Sequence, residues 1–451
     1  MEARYHMVIA FTLAVLLVGF GVLLSPPFKD LRKSIGLPED LPGSRYANGV
    51  AEIINPDIDQ AELYLTRIAH IYHAVFAVLI YATIAALVKI YRMETDILLL
   101  MLTGVLMVVA GSIVYAYIDH TFFWHGLFIA GLAVIFSSAL LLLFRFKPSE
   151  KLDWAVLVAG LLLLGGAVIG GWVGSSFIDS NLAHEFLIAK IQSRFNPDLA
   201  EESTVWRAMT GHLHAMVALS LALAFVVAVK AVGVRQSRLT QMAVYAVIFG
   251  ETVMALASYS VWFAGKIAHL IITPAALALI FGTLMLSFRT ERPEAASPKG
   301  ALSWGLRLGN LWVWAFVAVP GAIVAISLRK PKFFNPEFRA ESWDWAELAY
   351  NIGHWHILLA IWGVTLLLVY LAIVSKSRFA AIAGWTATIG MLGSIAAVNL
   401  YMLANPPLPY VPNPYDNFWL QYFVEPSMAI MSLGVAASYF VFLKDALKGD
   451  T

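Results

Sequence analysis

Six histidines open three apolar stretches as closely spaced pairs: His70/His73 in AHIYHAVF, His212/His214 in GHLHAMVA and His354/His356 in GHWHILLA. From 70 to 212 and from 212 to 354 is 142 residues each time. A neutral imidazole offers one good lone pair to a metal, and ionisable side chains inside a membrane span usually serve function. The chain has no cysteine, which removes disulfides, iron–sulfur clusters, thiolate-bound haem and CxxCH haem attachment. Paired imidazoles without a thiolate point to bis-histidine coordination of haem iron, with all six histidines as candidate axial ligands.

Spacing sharpens this chemistry. Residues i and i+2 of an α-helix stand about 200° apart, so the two rings of His-x-His point to opposite sides. They cannot readily chelate one ion, but they can serve two cofactors flanking one helix. His70 and His73, at i and i+3, stand about 60° apart and fit this scheme less well. His125 and His269, near the outer ends of their spans, are secondary candidates, while His6, His120 and His184 read as interfacial. A tight copper site needs several imidazoles together, so copper is not expected. Glu251 could join His212 or His269 in a non-haem iron site. Arg67, before His70, and Arg207, before His212, could neutralise haem propionates. Their plainer reading is as interfacial anchors.

The elements that must carry these residues are membrane helices. Of 451 residues, 60% are hydrophobic and 13% charged, more apolar surface than a soluble domain can hide. The solvent is therefore the lipid bilayer. A net charge of +1 gives no reason to expect a nucleic-acid partner. Apolar runs of about 20 residues, enough to cross the hydrocarbon, fall near 6–24, 67–90, 96–118, 122–145, 154–178, 206–231, 241–263, 266–288, 308–328, 351–375, 381–403 and 421–443. The first, which lacks a clear small-residue cleavage site, reads as a retained helix. The split between spans seven and eight rests on a short Gly265-Lys266 break. Lys89, Arg92, Arg145, Lys147, Lys230, Arg235, Arg289, Arg292, Lys376 and Arg378 crowd one set of connections. That asymmetry puts both termini on the cytoplasmic side and the histidine pairs toward the outer face.

Internal repetition organises the chain. Asn55-Pro56-Asp57, Asn196-Pro197-Asp198 and Asn335-Pro336-Glu337 each precede a histidine pair. Span four (WHGLFIAGLAVIF) is similar to span eight (AHLIITPAALALIF), and span twelve carries Glu425-Pro426 where these have histidine. The reading is an all-α integral membrane fold of about twelve transmembrane helices in three pseudo-threefold repeats of four. They form a single membrane domain, with repeats at about 1–150, 151–300 and 301–451.

This architecture, with histidine opening span two, a histidine in span six and His-x-His in span ten, resembles the main subunit of haem–copper oxidases and nitric oxide reductases. The resemblance implies that His356, with His70 or His73, ligates a low-spin haem. It implies that His354 is the proximal ligand of the reactive haem, and that His212 or His214 corresponds to a ligand of copper or non-haem iron. The chain departs from the family where the second metal should sit. Span seven, QMAVYAVIFGETVMALASYSVWF, lacks the two adjacent histidines, and Met216 and Ala218 stand where a span-six tyrosine is sought. The glutamate that accompanies that histidine in the reductases is missing too.

Without copper, the span-six ring becomes the sixth ligand of the haem held by span ten. Threefold logic gives His70 with His356, His214 with His354, and His73 with His212: two haem b groups, and a third in the remaining pore. The function expected is a multi-haem cytochrome b of a prokaryotic inner or plasma membrane. It would pass electrons between a quinol or membrane donor and an outer-face partner such as a cytochrome c, in a complex with other subunits. A divergent terminal oxygen or nitric oxide reductase is the alternative, and a transporter with histidines in a proton or metal path the second. Threefold repetition speaks mildly against a transporter.

Overall fold

The structure is a computed structural model and describes residues 2–23, 28–37, 58–119, 121–176, 204–324, 341–404 and 421–448. Side chains at 29, 58–69, 175–176, 204–207, 209–210, 266, 269, 324, 341–356, 398, 400–404 and 421 fall outside the described residues. Arg67, Arg207, His269, His354 and His356 are therefore placed by their helices alone, and His120 and His184 not at all.

Among the described residues, twelve helices are long and apolar enough to cross a membrane, which marks an integral membrane protein. In order they are Ala3–Leu23, Ile58–Tyr91, Asp96–Tyr117, Phe122–Arg145, Lys151–Ser176 and Thr204–Val232, then Arg238–Tyr259 and Lys266–Arg289. Span nine is built from Pro298–Val313, Trp314–Ala318 and Val319–Val324, and Glu341–Val374, Arg378–Ala404 and Gln421–Leu447 complete the set. Helices satisfy their own backbone groups, which lipid cannot do.

Spans seven and eight are separate helices. The chain leaves Tyr259, makes the short turn of helix Val261–Ala264 and re-enters after Gly265, whose φ of 53° suits glycine. Span nine starts ten residues earlier than its hydropathy predicts, at Pro298 and not near 308. Ser297 caps it by accepting the Gly300 N–H at 3.0 Å, and proline at the first helical position needs no donor. Lys299 and Arg307 mask this first part in a hydropathy reading. Arg307 is buried inside the helix, donating to the Thr290 carbonyl at 3.2 Å and to its hydroxyl at 3.1 Å. Further along, Trp314–Ala318 widens into a π-helical turn just before Pro320, which has no N–H to donate and whose ring crowds the preceding turn.

In lipid, helices associate by close packing more than by the hydrophobic effect. Three hairpins do so over glycine. In spans three and four, a Cβ on Gly104 would stand 2.8 Å from the Gly131 carbonyl oxygen, and one on Gly131 2.7 Å from that of Gly104. In spans seven and eight, Gly250 meets the backbone of Leu279 and Gly282 that of Val247. In spans eleven and twelve, Gly390 meets Met431 and Gly434 meets Ala387.

The chain divides into two compact units, one holding spans one to four and the other spans five to twelve. In the first, span two packs against spans one and three. In the second, span ten packs against spans six, nine and eleven. Spans six and ten are 72% buried over their apolar windows and span two 61%, against 17–22% for spans one, four, five and twelve. The histidine-bearing helices are thus among the most enclosed, where an imidazole must find a partner.

Charged clips tie helix ends within each unit. Arg145 pairs with Asp96 at 2.8 Å and Glu94 at 3.3 Å. Fully buried Asp153 accepts from the N–H groups of Ser149 and Glu150 and from Lys230 at 3.1 Å, with Glu150 also on that ammonium.

Candidate functional site

The span-six pair divides as its spacing predicts. His212 turns to span five, where Gly166 and Gly170 lie one turn apart on the same face. Its Nδ1 stands 2.8 Å from the Gly166 carbonyl oxygen. That oxygen only accepts, so Nδ1 carries the proton and Nε2 of the neutral ring carries the lone pair. The ring lies on Gly170, where a Cβ would come within 2.6 Å of its Cε1. Tyr259 and Met216 press on Gly166 in the same way, and Tyr259 donates to the Leu162 carbonyl at 2.7 Å.

His214 turns the other way, into a cavity of about 240 Å³ enclosed by spans six to ten of the second unit. Among the described lining residues it is the one ionisable side chain. The walls are apolar and often small, with Ala218 and Ala222 on span six, Ala276 on span eight, and Gly305 and Gly309 on span nine. The π-helical turn contributes Val317 and Ala318. Asn310 and Thr283 turn donors inward to the carbonyls of Leu306 and Ile280, at 2.8 and 3.0 Å. Span ten contributes Leu358, Ile361 and Thr365. These positions share one helical stripe, and position 354 precedes Leu358 by one turn on it.

An apolar lining with one imidazole, His214, is the kind of wall that a haem pocket needs. Its volume falls just under the roughly 300–1,000 Å³ usual for cofactor pockets. The lining chemistry suits such a group, while the cavity as it stands is smaller than a whole haem. The propionate partners expected, Arg67 and Arg207, have side chains outside the described residues.

The first unit brings together residues that the repeat spacing does not predict. Buried His70, on span two, places Nε2 3.2 Å from Nδ1 of His125 on span four. Tyr115 on span three leans on both imidazoles, with ring centroids 4.9 Å from His70 and 4.8 Å from His125. Phe128 closes the cluster 4.7 Å from His70 and makes an edge contact with His73 at 5.5 Å. Gly111 allows this, since a Cβ there would stand 2.7 Å from the Phe128 nitrogen. Two ligands trans on one metal stand about 4 Å apart, twice a metal–nitrogen bond. The His70–His125 pair is too close to sandwich a macrocycle.

Glu251 is fully buried within span seven, and among the described residues neither carboxyl oxygen has a hydrogen-bond partner. Among the described residues no three His, Cys, Asp or Glu side chains gather as a metal-ion site. His269, one of the partners expected for Glu251, has a side chain outside the described residues. His6, read as interfacial, is fully buried between helices, with Nδ1 2.6 Å from the Tyr81 hydroxyl, because span one packs on span two.

The residues that sequence reasoning misses are the supports: Gly166 and Gly170 under His212, Tyr115 beside His70, and Gly309 in the cavity wall. The paired glycines of span five, Gly165-Gly166 and Gly170-Gly171, are the readable signal. No protein-family model, no curated protein and no solved structure matches this chain.

Proposed function

We propose that this chain is a membrane-embedded multi-haem cytochrome b that carries electrons between a quinol or membrane donor and an outer-face partner. One observation carries the reading: His214 and the span-ten stripe containing position 354 border the same apolar cavity. In that cavity His214 and His354 would hold one haem b from opposite faces. A second haem b, at His356 with His70 or His73, is carried over from the resemblance alone. Haem iron, when bound, supplies a one-electron couple. The protein's part is to fix the imidazoles and exclude water, so that both ligands stay on the iron in either redox state.

Three glycine-packed hairpins, at Gly104/Gly131, Gly250/Gly282 and Gly390/Gly434, support reading the chain as three repeats of four helices. In that arrangement both termini are cytoplasmic and the histidine pairs lie toward the outer face, which suits an external acceptor and further subunits. The test is the absorption spectrum of purified protein, oxidised, reduced, and reduced under carbon monoxide. The reading predicts a Soret band and b-type reduced bands that carbon monoxide leaves unchanged, because a six-coordinate haem offers no open site.

A second reading is favoured by the buried carboxyl of Glu251, which has no partner among the described residues. It is a terminal reductase of oxygen or nitric oxide with a non-haem metal held by Glu251 and His212 or His269. Carbon monoxide binding to reduced haem would support it. A preparation without Soret absorption would point to a transporter.

A further inference from the structure

We propose that His70 and His125 bind one divalent transition-metal ion such as zinc, with water as the other ligands, at a site separate from the haem positions. Two imidazoles are too few for a tight copper site, and Cu²⁺ serves only as a spectroscopic probe of the pair. The pair is 3.2 Å apart between Nε2 and Nδ1. Two nitrogens on one tetrahedral ion, each about 2.0–2.1 Å from it, stand about 3.3 Å apart, and on a square-planar ion about 2.9 Å. The observed separation lies between these, so small ring movements admit the ion. Imidazole nitrogen is the donor that copper and zinc prefer among the side chains present, with no cysteine to compete.

Three helices fix the two rings. Span two carries His70, span four carries His125, and Tyr115 of span three is tilted 44° and 46° against them. Phe128 packs on both imidazoles, at 4.7 and 5.8 Å. Gly104, Gly111 and Gly131 let spans three and four pack backbone to backbone beside this corner. Binding costs no proton if both rings are neutral. His70 moves its hydrogen to Nδ1 and His125 holds its own on Nε2, so both facing nitrogens offer lone pairs. Water completes the coordination.

The pairing also assigns the two span-two histidines different work: His70 to the cation and His73 to the haem. The proposal does not depend on haem, and haem measured on the same preparation separates the two.

The experiment uses full-length protein purified without a histidine tag, stripped with a chelator and titrated with Zn²⁺ or Cu²⁺. Expected is one equivalent per chain that is lost, or weakened at least about tenfold, in His125→Ala. The Cu²⁺ form of the wild type should show electron paramagnetic resonance splitting from two imidazole nitrogens, a readout that needs no variant to fold. Haem content should stay unchanged in His125→Ala. Metal binding equal in wild type and His125→Ala, or a Cu²⁺ spectrum without nitrogen splitting, would reduce the site to a plain hydrogen-bonded pair and overturn the proposal. Haem-free protein that still binds the metal this way would leave the site standing and remove the cytochrome reading.

Discussion

His212 lies flat on Gly170 and donates its Nδ1 hydrogen to the carbonyl of Gly166, one helical turn away. Span five thus serves as a glycine shelf that fixes both the orientation and the tautomer of a span-six imidazole. Such backbone partners orient ligating histidines in many metal sites. A Cβ on Gly170 would come within 2.6 Å of the ring, while one on neighbouring Gly171 meets nothing within 4 Å. Gly170→Ala should cost about 1–3 kcal/mol through overpacking. Gly171→Ala should be neutral or slightly stabilising. Thermal unfolding of the two purified variants compares them directly.

The same logic applies to the hairpin of spans three and four. Gly104→Ala and Gly131→Ala each drive a methyl into the facing backbone, at 2.8 and 2.7 Å, where no side chain can give way. Each should lower stability by at least about 1–3 kcal/mol. Gly126→Ala, in the same hairpin but with open space around it, should gain up to about 1 kcal/mol from helix propensity. If Gly126→Ala lost as much as the others, close helix contact would not be what holds the hairpin.

Gly309 offers a way to close the cavity without touching a ligand. It lines the cavity, and a Cβ there meets nothing within 4 Å. Gly309→Leu should therefore fold normally and fill the space with an isobutyl group. Haem content should fall while the unfolding midpoint holds, measured by absorbance and circular dichroism on one sample.

Glu251 stands buried with both carboxyl oxygens unpartnered among the described residues. A buried polar group without a partner costs about 1–3 kcal/mol, and an apolar group of similar shape avoids that cost. Glu251→Met should therefore raise the unfolding midpoint. A large loss of stability would mean that the carboxyl holds a partner in the working protein, such as the metal of the second reading.

The membrane helices are legible in the sequence because an unbroken run of about 20 apolar residues matches the thickness of the hydrocarbon core. The opposed rings of His212 and His214 are legible from helix geometry alone. Hydropathy misplaces the start of span nine because Lys299 and buried Arg307 lower it there, although Ser297-Pro298 marks a helix start. The His70–His125 contact is not legible: it joins residues 55 apart on two different helices, whose mutual rotation periodicity does not report. His6 escapes a sequence reading because hydropathy places a residue along the membrane normal but not against its neighbour, here Tyr81.

The most direct measurement is haem per chain, by pyridine haemochrome against amino-acid analysis, in wild type, His214→Ala and His354→Ala. The account predicts two b-type haems in the wild type and loss of the same one in either variant. A wild type with one haem or none, or variants that both keep the full complement, would contradict it.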